Sequence, residues 1–361
     1  MSFRLPVTQQ DRSKTGMETS SKNSEESGLK VRVVNVRLPL DWTVSLLMLG
    51  VALLLCIRWN VAINFNLKIY LEICFYLIVV AVAATFVLVL GRELVNAIGR
   101  NSIDSETQNT RLEVYTCIAR SLFLFFLCSW IYTHIKTGVL LGGDDGNDLW
   151  LREVDRWILG DDGWLIARSW LPDASSEFFS FIYFAFAPSL LISILYLACA
   201  GNVARARKLT TAILVGYFIG VLSYFLLPAY GPAFIFESAT CENLSEVTHE
   251  AQVKLLKTTN EVRQNPATAV VLPWMYIAAF PSLHFSHVII LAWYFRFSKL
   301  TLTVAFLFVC LTGVSTVYFA WHYAVDLLGG MAVACLAILL AERFSVISIP
   351  VFAPLGGAND G

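Results

Sequence analysis

Phe280-Pro281-Ser282-Leu283-His284 opens a run that passes through two apolar blocks to Ser315 and ends in His322-Tyr323-Ala324-Val325-Asp326. Two histidines far apart in sequence, each beside small polar residues, sit at the ends of hydrophobic segments of membrane length. One block leads away from His284 and turns at Arg296-Phe297-Ser298-Lys299; the next returns to His322. A helix rises 1.5 Å per residue, so about 20 residues cross the roughly 30 Å hydrocarbon layer. Two crossings bring the chain back to the face it left, and both histidines can then meet at one depth.

Composition extends this reading to the whole chain. Of 361 residues, 57% are hydrophobic and 15% charged, whereas an ordinary soluble domain carries about 25% charged residues. The apolar residues fall in eight blocks, at about 42–58, 69–91, 114–134, 178–200, 209–227, 283–297, 300–319 and 324–341. Backbone amides find no water inside a bilayer, so each block is expected to be helical. The expected fold class is therefore all-α, a polytopic membrane bundle of about eight transmembrane helices. Trp42 and Trp59 flank the first block as aromatic anchors. A net charge of −1 gives no basic field for nucleic acid. Among eight cysteines only Cys241 lies in a polar loop, and no CxxC spacing occurs. Neither a zinc site nor a disulfide framework is expected, and the cysteines read as small buried hydrophobes.

Four regions follow from this pattern. Residues 1–40 read as a disordered cytoplasmic tail, too poor in apolar groups to offset its chain entropy. No signal-peptide core precedes the first block, which is expected to stay as an anchor. Residues 41–112 supply two extra transmembrane helices, 113–345 the catalytic membrane domain, and 346–361 a C-terminal tail. Basic residues cluster in the N-terminal tail, at Arg92, Arg100 and Arg111, at Arg205, Arg207 and Lys208, and at Arg296 and Lys299. All four clusters share one side when both termini are cytoplasmic, as the positive-inside bias requires. A bacterial inner membrane or an endomembrane both suit this topology. The other face, periplasmic or lumenal, receives residues 135–177 and 228–282 together with both histidines. Within the first of these loops, Leu149, Trp150, Val154, Trp157 and Ile158 recur with helical spacing, as in a helix lying along the interface. Glu242 to Arg263 is a polar, helical stretch, and no repeat of 20–50 residues is present.

The candidate chemistry sits at the ends of the hairpin. Pro281 and Ser282 suit a helix start, with Ser282 as N-cap, and free amides at such a start bind anions. His284 then lies in the first turn. His322 and Asp326 stand one helical turn apart. A carboxylate there accepts the second imidazole N–H, fixes the tautomer and raises the nucleophilicity of the ring. One histidine as nucleophile and one as general acid suffice for phosphoryl transfer without a metal or cofactor. Single histidines near an interface are usually structural, which is the reading for His134, His249 and His287. An ionisable pair at membrane depth is a different matter and points to function.

Pro281-Ser282-Leu283-His284 with Ser315-x6-His322-x3-Asp326 resembles the type-2 phosphatidic acid phosphatase superfamily over roughly residues 115–343. The resemblance implies a six-helix core, a phosphohistidine intermediate and a lipid phosphate or phospholipid substrate with an alcohol or water as acceptor. It makes His322 the nucleophile, Asp326 its orienting carboxylate and His284 the acid for the leaving group, with Ser282 and Ser315 holding phosphate. Two departures stand out. The superfamily's Lys and Arg-Pro motif is absent, and Thr316 replaces the Arg expected after Ser315. Tyr224-Phe225-Leu226-Leu227-Pro228-Ala229-Tyr230-Gly231-Pro232 stands in place of the first motif. With Asp148-x2-Leu151-x3-Asp155-x3-Leu159-Gly160, it resembles the inositol phosphorylceramide synthase branch, whose members move a phosphorylated head group between lipids. Tyr230, Gly231 and Pro232 are candidate binding residues on that basis, or a rigid helix exit. Arg152 and Arg156 are candidate replacement cations, as are Lys254, Lys257 and Arg263. Alternatives are a lipid-phosphate phosphatase and an inactive scaffold of the same fold. A transporter would need ionisable groups near mid-span, and beyond Glu72 and Arg120 few are evident.

Overall fold

The computed structural model describes residues 31–61, 67–99, 111–142, 146–240, 244–268, 279–344 and 346–354. In chain order the elements are β1 (Val31–Pro39), α1 (Leu40–Trp59), α2 (Leu67–Gly99), α3 (Arg111–Gly142), α4 (Gly146–Leu159), α5 (Gly163–Trp170), α6 (Ser176–Phe184), α7 (Phe186–Cys199), α8 (Val203–Leu226), α9 (Pro232–Ile235), α10 (Glu246–Gln264), α11 (Leu283–Tyr294), α12 (Lys299–Tyr318), α13 (Ala324–Arg343) and β2 (Val346–Pro354). The fold is all-α in its body, as expected. All eight apolar blocks are helical: α1, α2, α3, the α6–α7 pair, α8, α11, α12 and α13.

Five of these helices are long and apolar enough to cross a membrane, and the α6–α7 pair, bent by 47°, passes the same test only when taken together. The apolar stretch Cys74–Leu90 of α2 and the whole of α11 are shorter. Residues 37–347 form one compact unit, with α1 packed on α3 and α8 rather than standing apart. Helix α8 is the central post and touches α1, α3, α7, α11 and α13. Outward faces are apolar: Ile57, Phe75, Phe86 and Leu300 are each more than 60% exposed. Such surfaces are untenable in water and ordinary against lipid. The chain is an integral membrane protein.

Local chemistry sets the helix ends. Asn202 caps α8 by accepting the Arg205 N–H at 3.3 Å, and Ser245 caps α10 through Thr248. Ser298 and Thr301 exchange side chain–backbone bonds at 3.1 Å and start α12 directly after the basic turn. That turn lies at the same end of the bundle as the start of α8, since Arg205 stacks 5.4 Å over Phe297 and Lys208 pairs with Glu342 near the end of α13. Arg120, one of the charges near span ends, is held by both Asp41 oxygens at 2.6 and 2.7 Å.

Helix α4 is amphipathic with its charges reversed from a soluble helix. Asp148, Leu151 and Asp155 point inward and are buried, while Leu149, Trp150, Trp157 and Ile158 are exposed. Lying along an interface suits that pattern, because tryptophan and leucine are then the residues that meet lipid.

The N-terminal tail needs correction. Residues 31–39, expected to be disordered, form β1 and pair with β2 in a two-stranded sheet. Val31, Val33, Val34 and Val36, with Val346, Ile347, Ile349 and Val351, carry that β signal. Composition averaged over the polar N-terminal tail conceals it. The rest of both tails and Cys241 lie outside the described residues. No disulfide links the cysteines among the described residues, but Cys199, Cys310 and Cys335 are exposed rather than buried.

Close approach of α11 and α13 positions everything that follows. A Cβ on Gly330 would stand 2.5 Å from the Ser282 carbonyl oxygen. Gly330→Ala therefore has to push α13 away from the start of α11, at a cost of about 1–3 kcal/mol. Gly50, on the outer face of α1 with nothing near its Cβ position, is the matched control, and its Ala variant should gain about 0.5–1 kcal/mol from helix propensity. Thermal unfolding of both variants in detergent checks the contrast.

Candidate functional site

Asp326 binds the two histidine motifs together. Its Oδ2 accepts from His322 Nδ1 at 3.1 Å and from the Tyr323 N–H at 3.0 Å, and its own carbonyl accepts the Ser282 N–H at 3.1 Å. The carboxylate can only accept, so Nδ1 of His322 carries the proton and Nε2 is left with its lone pair. On the other side, the Thr316 carbonyl receives the N–H groups of Trp321 (3.0 Å) and His322 (3.2 Å) and fixes the turn into α13. His284, in the first turn of α11, brings its ring centroid to 5.9 Å from that of His322. The bend between α6 and α7 supplies the walls, with Tyr183 stacked on His284 at 4.6 Å and Phe186 at 4.4 Å.

Both histidines open into a cavity of about 300 Å³. Its wall is largely aromatic and aliphatic: Tyr132, Tyr183, Tyr217, Tyr224, Phe186 and Trp321 lie there, with Tyr230 and Phe234 from the loop side. One cation joins them. Lys136, near the end of α3, is 8% exposed and lies 5.4 Å over the Tyr132 ring and 6.0 Å over Tyr224. Among the described residues it has no carboxylate partner. Leaving an ammonium there costs several kcal/mol of desolvation. A desolvated cation–π contact returns about 2 kcal/mol, which is not enough.

Several expected binding residues are engaged elsewhere. Arg152 and Arg156 both grip Asp162, at 2.6–3.3 Å, and neither lines the cavity. Burial pushes the Asp162 carboxyl up, but the two guanidinium groups overcome this and hold it below the usual carboxylate range. Taking either arginine for phosphate would strand part of a buried charge whose loss of partners costs about 3–5 kcal/mol. Their pairing is structural. The Ser315 hydroxyl donates to the Phe179 carbonyl at 2.9 Å, and Ser282 Oγ accepts the Phe285 N–H as N-cap of α11. Both serines are fully buried and outside the cavity wall. Thr316 donates to Gly313. His287 reaches the carbonyls of Leu283 (2.7 Å) and Ile213 (3.1 Å), and His134 that of Trp130 (2.9 Å), so both are structural. Lys254 and Lys257 are exposed on α10. Arg263 bonds the Tyr230 hydroxyl and lies 4.7 Å over its ring.

Of Tyr230, Gly231 and Pro232, only Tyr230 lines the cavity. Gly231 has a φ of +101°, and a Cβ there would stand 2.6 Å from the Trp321 carbonyl oxygen, so no other residue fits. Pro232 starts α9. The turn is pinned by α4. Asp148 accepts the N–H groups of Tyr230 and Gly231, both at 2.8 Å, and the Tyr323 hydroxyl at 2.9 Å. Asp155, two turns on, accepts the first N–H groups of α13, from Ala324 at 2.7 Å and Val325 at 2.8 Å. Sequence reasoning missed Lys136 because one lysine near the end of an apolar block reads as an interfacial anchor. The role of Asp148 and Asp155 was half visible in their seven-residue spacing, two helical turns that put both on one face.

Burial lifts the Asp155 carboxyl to about 6, from an ordinary value of 3.8, against the opposing pull of the two N–H groups. The folded state thus binds this proton more tightly than the unfolded one. Its contribution to stability is present at low pH and is lost as pH rises from about 4 to 6. Asp155→Asn removes the titration and sets an amide N–H against one backbone N–H. Thermal unfolding in detergent from pH 4 to 7 should show the wild-type advantage over the variant shrinking as pH rises through that window, with no further change above it.

No curated protein and no solved structure gives a significant match to the chain. A family model described as the PAP2 superfamily matches residues 149–340, from the middle of α4 to near the end of α13. That span carries both histidines, Asp326, the buried Asp155 and the Tyr230–Gly231 turn, and the chain belongs to the PAP2 superfamily.

Proposed function

We propose that this protein transfers a phosphorylated head group between membrane lipids through a phosphohistidine on His322. The superfamily's chemistry is that of phosphatases and phosphotransferases acting on lipid phosphates. The observation that carries the reading is the His322–Asp326 pair, which leaves Nε2 free on a histidine sharing a cavity with His284.

His322 Nε2 attacks phosphorus. The bond from phosphorus to the leaving oxygen breaks, and that oxygen takes a proton from His284. Asp326 balances the positive charge that grows on the His322 ring. An acceptor hydroxyl then enters, gives its proton back to His284, and its oxygen displaces the Nε2–phosphorus bond. Both histidines return to their starting states, so the cycle needs no outside proton or electron.

Transfer to an alcohol is favoured over transfer to water on two grounds. The cavity wall is mostly apolar, which disfavours a pool of water beside the intermediate. The Tyr230–Gly231 turn and Asp148, the two stretches that resemble inositol phosphorylceramide synthases, are also joined directly by hydrogen bonds beside the cavity. The site is assigned to the non-cytoplasmic face, because Arg205, Lys208, Arg296 and Lys299 gather at the opposite end of α8, α11 and α12 from the histidines.

Purified protein supplied with a phosphodiester phospholipid donor and a polyol or lipid alcohol should yield head-group exchange in excess of the free phosphorylated head group that transfer to water would release. His322→Ala should fall to background and trap no acid-labile phosphoryl group, while His284→Ala should lose about 10²–10⁴-fold in turnover. Undiminished turnover by His322→Ala rejects the mechanism. The free phosphorylated head group as the main product, or inorganic phosphate released from a phosphomonoester donor in preference, makes water the acceptor and the enzyme a hydrolase instead.

A further inference from the structure

We propose that Lys136 is the phosphate-binding cation of this site, and that it sets the site for a singly charged phosphodiester rather than a doubly charged phosphomonoester. This deepens the phosphoryl-transfer reading above and rests on it.

Among the residues that line the cavity, Lys136 alone is a lysine or arginine, and no aspartate or glutamate lies there. Lys136 is more than nine-tenths buried, has no ion-pair partner among the described residues, and shares the wall with His284 and His322. Tyr132 lies one turn back on α3 and Tyr224 comes from α8, so two aromatic faces brace the lysine stem from different helices. These tyrosines also bond to each other, hydroxyl to hydroxyl, at 2.9 Å. A buried ammonium held among aromatic faces, with no counter-charge of its own, is a site waiting for an anion.

Other cations near the site are spoken for. Arg152 and Arg156 hold Asp162, Arg120 holds Asp41, and Arg168 donates to the carbonyls of Tyr318 and Ala239. None lines the cavity. One cation neutralises one charge. A phosphodiester carries a single negative charge, and a phosphomonoester about 1.5 to 2 at neutral pH. The second charge of a monoester would have no partner in a low-dielectric wall. Three N–H donors on one ammonium can serve both non-bridging oxygens of a diester.

The test uses the full-length protein in detergent with two soluble lipids of equal chain length, dihexanoyl phosphatidylinositol and dihexanoyl phosphatidic acid. Wild type should favour the diester at least tenfold in kcat/KM. Lys136→Met should lower kcat/KM for the diester about 100-fold, and Lys136→Arg should recover at least tenfold of that. A structural lysine would lower the melting temperature when removed. Here Lys136→Met should keep or raise it, since an unpaired buried charge is gone, while the upward shift given to wild type by the diester disappears. Wild-type preference for the monoester, or a Lys136→Met variant that keeps the diester's turnover or its thermal shift, overturns the proposal. If the diester shifts wild type and not Lys136→Met but no turnover dependent on His322 is found, Lys136 stands and the phosphoryl-transfer reading falls. Turnover that needs His322 but ignores Lys136 keeps the phosphoryl-transfer reading and removes Lys136 from it.

Discussion

Asp326 is the constraint on which the site depends. One carboxylate oxygen orients His322 and closes the first turn of α13, while the backbone carbonyl of the same residue receives the Ser282 N–H at the head of α11. His322 and the helix that carries His284 are thus registered to each other through a single residue. The Ser282–Asp326 bond could not form if the helices stood further apart, and Gly330 against the Ser282 carbonyl is what lets them close. A hydrogen bond to a charged acceptor is worth more inside the bundle than at a surface.

Around this junction the protein uses carboxylates where a soluble enzyme would use apolar packing. Asp148 and Asp155 project from one face of α4 into buried positions, where they accept from backbone N–H groups and a tyrosine hydroxyl. Four of those donors are main-chain amides, in the Tyr230–Gly231 turn and at the start of α13. The amides have no helical partner of their own, so the carboxylates satisfy groups that would otherwise be stranded. Arginines that the sequence alone would send to the phosphate are used instead to neutralise Asp162, which holds the α4–α5 corner.

Much of this was legible in the sequence, and the reasons are physical. Eight apolar blocks fixed by the thickness of a bilayer all became helices, and His322 and Asp326, one turn apart, had to meet if α13 formed. Ser282 capped its helix as its residue type suggests. What stayed hidden depends on contacts between segments distant in sequence. Arg152 and Arg156 look like open cations until Asp162 folds back on them. Ser315 looks like a phosphate ligand until the bent α6 offers it the Phe179 carbonyl. Lys136 looks like an anchor until α8 and α11 close a wall around it. The strands at the chain ends were missed for a different reason, a local alternation averaged away by a long polar tail.

Helix α4 has one further property that follows from its two faces. Trp150 and Trp157 look outward while Asp155, on the same rigid rod, holds the amides of Ala324 and Val325 next to His322. The lipid-facing side chains and the amides beside His322 are therefore the two ends of one short strut. The choice of detergent or bilayer is a variable to hold fixed for this protein, because the tryptophans that meet it share a helix with the carboxylate that holds the first amides of α13.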